Sequence, residues 1–277
     1  MEQASSPPPE GPSRPRDAVS NVALKAPTRG NRKLEALLAA AGASDRLRAT
    51  WHMQHVVAGR LGMSDHSWVH VQIVLNIALR LSRLLSRRGV APAMVGEHLM
   101  RDHDAEVVIA AACLFHDTGM SIHRTDHEAY SLFLAADLLP SLLEDIYDEP
   151  ERTVVVAESL HAVIGHRRRG DPITVEAGIV RVADALDLAQ GRSRVPFENR
   201  RPNIHSLSAA AIDGVEIKAG EERAGTIEIA MNNSAGIFQV DELLATKLRG
   251  SGLEEQIEVV ARIEAEYEKR LLPVFRI

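Results

Sequence analysis

The sequence predicts a mainly α fold: a helical body followed by a small C-terminal α+β appendage that contains a β-hairpin. Three observations carry this expectation. Apolar residues recur at helical spacing through most of residues 31–201, glycines and prolines punctuate those runs, and past Arg201 the apolar pattern becomes a strict alternation.

The elements follow in chain order. Residues 1–30 are rich in Pro, Ser and Arg and have no periodicity, the composition of a disordered tail. The helical body then occupies residues 31–201. Lys33–Ala41 reads as a short amphipathic helix. Trp68–Ser86 reads as a long one, with His70, Ile73, Val74, Ile77, Leu81 and Leu84 on one stripe. Ala105–Asp117 holds nine consecutive apolar residues, Val107 to Phe115, and is the expected central helix, with Gly119 as its stop. Thr125 and Glu128 have the spacing of a capping box and open a helix that runs to about Leu139, where Pro140 ends it. Two more helices are expected, Glu151–Ile164 ending at Gly165, and Thr174–Gln190 ending at Gly191. In the appendage, residues 202–277, the segments VEIKA (Val215–Ala219) and TIEIAM (Thr226–Met231) alternate apolar and polar about GEERAG, the pattern of a hairpin. Helices near Val240–Leu248 and Leu253–Leu272 complete it.

Composition narrows the function classes. A net charge of −6 argues against a general nucleic-acid binder, whose footprint would be basic. Arginines crowd His166–Arg169 and the positions Arg192, Arg194, Arg200 and Arg201; such groups form either a solvated face or a seat for an anion. The one cysteine, Cys113, lies inside an apolar run, so no intrachain disulfide or cysteine-based zinc site exists, which suits a reducing compartment. The first residues lack the apolar core of a signal peptide, and no later stretch reaches the length of a membrane span. A soluble, cytoplasmic protein with no membrane partner is expected.

The twelve histidines sort by context. His52, His55, His98 and His205 have no carboxylate or histidine partner at informative spacing and read as surface or capping residues. His66 lies one turn before His70, but Ser64 and Asp65 beside it mark a helix start. His70, His116, Asp117, His161 and Asp184 are different, because each interrupts or ends an apolar helical face. A buried carboxylate without a partner takes up a proton rather than stay charged. Two aspartates among three core-facing histidines therefore call either for a hydrogen-bonded polar network or for a shared cation, beside which neutral imidazole and ionised carboxylate are both favourable. Adjacent helical residues point about 100° apart, so His116 and Asp117 converge only at a helix end. The second carboxylate oxygen of Asp117 lets it bridge two ions about 3.5–4 Å apart.

In this order the residues resemble the HD superfamily of metal-dependent phosphohydrolases. HVQIVLNIALRL (from His70) resembles the family's first-ligand helix, AACLFHDTG its His-Asp doublet, and IVRVADALD its distal-aspartate helix. The resemblance spans about Trp68 to Gln190 and implies an HD-type helical bundle. Two further histidines between the doublet and the distal aspartate are similar to the subset that binds two metals, including bacterial dinucleoside-polyphosphate hydrolases. What it implies for this chain is one ion on His70, His116, Asp117 and Asp184, and a second on Asp117, His127 and His161. His127 is preferred to His123, which falls in a connecting loop. The ions would be Mn, Fe, Ni, Co or Zn, one or two in number. The implied activity is cleavage of a phosphomonoester or phosphodiester, with a nucleotide as the small phosphorylated substrate and Asp117 as the catalytic hinge. Asp187, three residues past Asp184, would orient a ligand or water, or is a plain surface carboxylate. His166 and Arg167, and Arg192 and Arg194 in GRSR, leave helices that point at the ions and would grip phosphate oxygens. A non-catalytic, metal-stabilised scaffold or sensor, with the appendage binding a partner, is the competing reading, and the appendage also leaves room for a homodimer.

Overall fold

A computed structural model describes residues 14–20, 22–63, 66–188 and 208–263. The helical body comprises a central helix with α1 (Pro15–Ser20), α2 (Arg32–Ala43), α3 (Asp45–Leu61), α4 (Trp68–Arg87), the short α5 (Ala93–Gly96), α7 (His127–Leu142), α8 (Glu151–Gly165) and α9 (Val175–Ala185). The central helix is α6 (Asp102–Phe115), and every residue from Asp104 to Phe115 is buried. A helix apolar all round has no face to give to solvent, and the long run of small and branched side chains in α6 permits contact on every side. Helices α2, α4, α8 and α9 surround it.

The ends of α6 are fixed by polar contacts. At its start Asp104 accepts from Lys33 Nζ and Tyr147 Oη, both at 2.7 Å, and Glu106 pairs with Arg83 at 2.6 Å. At its end the indole N–H of Trp51 in α3 donates to Leu114 O at 2.9 Å, with the ring fully buried. These bonds set the height of the last turn, from which a 3-10 turn, Thr118–Ser121, leads away.

The appendage is a three-stranded sheet in the order β1 (Ile212–Ala219), β2 (Gly225–Met231), β3 (Ile257–Ile263). Strands β1 and β2 form the antiparallel hairpin expected from alternation, while β3 runs parallel to β2. Ile217, Ile227, Ile229 and Met231 join the same apolar core as the helices, and Arg80 of α4 donates to Ile217 O at 2.6 Å. Between β2 and β3 lies a π-helix, Gln239–Ala245, that continues into one α turn, Thr246–Leu248.

Several expectations are corrected. The helix expected over Leu253–Leu272 is strand β3 across Ile257–Ile263, because IEVVARI sets β-branched residues in alternation and adds a third strand to the hairpin. Residues 14–30, expected within a disordered tail, include α1 with Ala18 and Val19 buried, and Lys25 N donates to Gln72. Helix α3 was not singled out from the sequence. Pro140 lies inside α7, which continues to Leu142 and so ends just past the proline that was expected to stop it. The capping box does not form: α7 opens on Asp126 in the left-handed region (φ 59°), without a side-chain cap. Ile73 is exposed, so the buried stripe of α4 is rotated toward Val71, Leu75 and Leu79. By length and composition α4 is apolar enough to cross a membrane, contrary to the sequence expectation, but 56 % of that stretch is buried in the bundle. The boundary at 201/202 and the stop at Gly191 fall outside the described residues.

Candidate metal centre

Four elements meet at the C-terminal end of α6. His70 comes from the first turn of α4, whose start is set by Ser67 accepting from Val69 N at 3.2 Å. His116 and Asp117 follow α6 directly, His127 opens α7, His166 caps α8, and Asp184 lies in the last turn of α9.

Their nitrogens and oxygens form two groups, His70/His116/Asp184 and Asp117/His127/His166, in each of which the ligand atoms lie within 4.8 Å of one another. In the first, His70 Nε2 is 3.1 Å from His116 Nε2 and 3.3 Å from Asp184 Oδ1. In the second, Asp117 Oδ1 is 3.1 Å from His127 Nε2 and 3.8 Å from His166 Nε2. The other oxygen of Asp117, Oδ2, turns to the first group, 3.5 Å from His116 Nε2 and 3.6 Å from His70 Nε2. One carboxylate thus addresses both groups, an oxygen to each.

The tautomers follow from the opposite ring nitrogens. His116 Nδ1 donates to Cys113 O at 2.8 Å, His166 Nδ1 to Val163 O at 2.5 Å, and His70 Nδ1 to Asp187 Oδ2 at 2.6 Å. With each Nδ1 carrying the proton, the Nε2 lone pairs turn inward. Two imidazole lone pairs 3.1 Å apart, with a carboxylate oxygen at 3.3 Å, repel unless a cation lies among them. A donor set of nitrogen and oxygen without thiolate fits a divalent ion.

The charge states agree. Burial presses His116 below its ordinary value and His166 well below it, which keeps both neutral and able to ligate. Asp117 and Asp184 sit well below the usual carboxylate range. Burial opposes this in both, and is outweighed by His116 and His127 for Asp117 and by Lys247 and His70 for Asp184. His127 alone is raised: burial lowers it, but its hydrogen bond to Asp117 and the nearby Glu128 carboxylate prevail. Protons compete with an ion for the same lone pair. As pH falls, the raised His127 takes a proton before the depressed His116 and His166, so metal held by Asp117/His127/His166 is expected to leave at higher pH than metal held by His70/His116/Asp184. Metal content followed through a descending pH series checks this; simultaneous loss from both groups would overturn it.

The other sequence candidates fall differently. His161, expected as a ligand, is in neither group; its Nε2 accepts from Ile173 N at 3.1 Å. The reason is the direction of α8. The helix runs its C-terminal end into the site, so the imidazole that arrives there is His166 at the cap, 2 % exposed, and not one a turn earlier. His166 thereby leaves its expected role on phosphate. Arg167 is exposed, and its carbonyl accepts from Arg181. Arg192 and Arg194 lie outside the described residues. His123 is in the exposed loop, accepting from Thr125 N at 3.0 Å. Asp187 is buried behind His70 and accepts from its Nδ1 at 2.6 Å, so it is not the plain surface carboxylate that was its other reading.

Two residues at the site were passed over. His66 is buried, its Nε2 3.8 Å from Asp117 Oδ2 and its ring 5.6 Å from that of His70. The four-residue spacing to His70 was the available signal. Lys247, from the segment after the π-helix, bonds Asp184 Oδ2. It is 63 residues away along the chain, and nothing local marks it.

Comparison with known proteins agrees with this geometry. The HD domain family matches residues 64–189, the span from His66 to just past Asp187. A protein of Methanocaldococcus jannaschii, described as uncharacterized, is 38 % identical over 215 residues, covering 77 % of this chain and 83 % of the relative. No solved structure matches. A histidine from α4, a His-Asp doublet ending the central helix and a distal aspartate converge in one buried cluster inside the matched span, and the chain belongs to the HD-domain superfamily of metal-dependent phosphohydrolases.

Proposed function

We propose that the protein is a dinuclear phosphohydrolase that cleaves a phosphomonoester or phosphodiester bond of a nucleotide. The observation that carries this reading is Asp117, whose two oxygens face separate imidazole groups at 3.1 Å and 3.5 Å. A purely structural site closes its coordination shell around one ion and has no use for a bridging carboxylate. His70, His116, Asp117 and Asp184 would hold one ion, and Asp117, His127 and His166 the other. When bound, the ions supply Lewis acidity toward phosphoryl oxygens and lower the pKa of water.

The chain's own residues do the rest. Asp187 accepts the hydrogen bond of the His70 Nδ1–H and so keeps Nε2 aimed inward. Cys113 O and Val163 O do the same for His116 and His166 at no cost in charge. The apolar wall of α6 excludes bulk water from behind the site, which strengthens every electrostatic contact inside it. A nucleotide is favoured by the order of ligands, with two histidines between doublet and distal aspartate as in the dinucleoside-polyphosphate hydrolases.

Elemental analysis of the purified protein, followed by phosphate release from a panel of nucleotides, tests the reading. Activity toward at least one nucleotide is expected, abolished by EDTA and by His116→Ala. Full metal occupancy with silence across the panel would instead indicate the non-catalytic scaffold.

A further inference from the structure

We infer that Lys247, delivered by the C-terminal appendage, is a substrate-binding residue of the centre, its ammonium taking a phosphoryl oxygen. The inference deepens the phosphohydrolase reading and rests on it.

Asp184 divides its two oxygens. Oδ1 faces His70 and His116 at 3.3 and 3.8 Å, and Oδ2 is bonded by Lys247 Nζ. The ammonium therefore sits beside the ligand cluster, on the opposite edge of the distal aspartate from the histidines, with its side chain 17 % exposed.

This placement is built by α9 on one face. Gly178, Arg181 and Asp184 follow one another at three-residue spacing, a turn apart. At Gly178 a Cβ would stand 2.3 Å from Ser251 O, so only glycine lets the appendage chain come this close. Arg181, 2 % exposed, spends its guanidinium on main-chain carbonyls: Lys247 O at 2.8 Å and Arg168 O at 2.8 Å, with Gly165 and Arg167 also accepting. It thus rivets the turn that carries His166 to the turn that carries Lys247. A lysine wanted only to balance Asp184 would not need its backbone held by a buried arginine. The segment leading to it is a π-helix, a rare form frequent at functional sites.

Chemistry supplies the role. An ammonium has three donors, and Asp184 Oδ2 takes one. Once Asp184 shares its charge with an ion through Oδ1, its hold on Lys247 weakens, and a cation at the edge of the pocket is matched by an anionic group entering it. A tetrahedral phosphoryl oxygen accepts such a bond readily.

Isothermal titration of inorganic phosphate into the metal-loaded protein, with metal content measured on the same samples, tests this. Lys247→Ala is expected to keep wild-type metal content and to bind phosphate about tenfold or more weakly. Lys247→Arg should stay within about threefold of wild type, since it preserves the charge. In a hydrolysis assay Lys247→Ala should act through KM more than through kcat. Phosphate affinity unchanged in Lys247→Ala, with wild type active, would overturn the role of Lys247 and leave the phosphohydrolase reading standing. Metal loss in Lys247→Ala would also overturn it, reducing the residue to a prop for Asp184. Metal-loaded wild type that neither binds phosphate nor hydrolyses any nucleotide would overturn both.

Discussion

Asp117→Asn is expected, on the dinuclear proposal, to lower kcat/KM by at least about three orders of magnitude, about 4 kcal/mol of transition-state stabilisation, and to reduce bound metal from two ions per chain to one or none. The substitution preserves size and shape, so the packing around a side chain that is 5 % exposed is undisturbed. It removes the charge and turns one of the two oxygens into an NH2 group that cannot ligate. An amide can direct its remaining oxygen either to His127 and His166 or to His70 and His116, never to both. Metal content and initial rates with the best nucleotide check the prediction. Two ions and near-normal rates would show that Asp117 does not bridge, and the dinuclear reading would fall.

The comparison of sequence with structure turns on distance along the chain. Helix α6 was legible because nine apolar residues in succession leave few alternatives to burial on all sides, and its polar ending marked the doublet. The β1–β2 hairpin was legible from alternation alone. Strand β3 was not: Ile257, Val259 and Val260 fit a helical stripe as well as a strand, and only pairing with β2 decides. His161 and His166 both occur in ESLHAVIGH, and choosing between them requires knowing which end of α8 enters the site. His66 was discounted because a helix boundary is the least certain feature of a sequence reading. Lys247 had no local signal of any kind. Its place depends on Gly178 and Arg181, whose partners are main-chain carbonyls of distant segments.

Gly119→Ala is expected to destabilise the protein by about 3 kcal/mol or more and to empty the Asp117/His127/His166 group. Gly119 has no positive φ, so chain entropy on its own would favour alanine by about 0.4–1 kcal/mol. The sign is reversed by space. A Cβ there would stand 1.9 Å from His127 O and 2.6 Å from Ser131 N, both backbone atoms that cannot swing aside. The 3-10 turn must then part from α7, and with it goes a hydrogen-bonded relay in which Gly119 N donates to Ser131 Oγ at 2.8 Å and Ser131 Oγ donates to His116 O at 2.7 Å. That relay holds the doublet against the N-terminal part of α7, and so holds Asp117 near His127. Denaturant unfolding and metal content read the two consequences separately. Ser131→Ala supplies the control, because it cuts the relay without adding volume: a loss of about 1–2 kcal/mol with weaker retention of the second ion is expected. If Gly119→Ala were as stable as wild type and kept both ions, close approach of the doublet to α7 could not be what assembles the site.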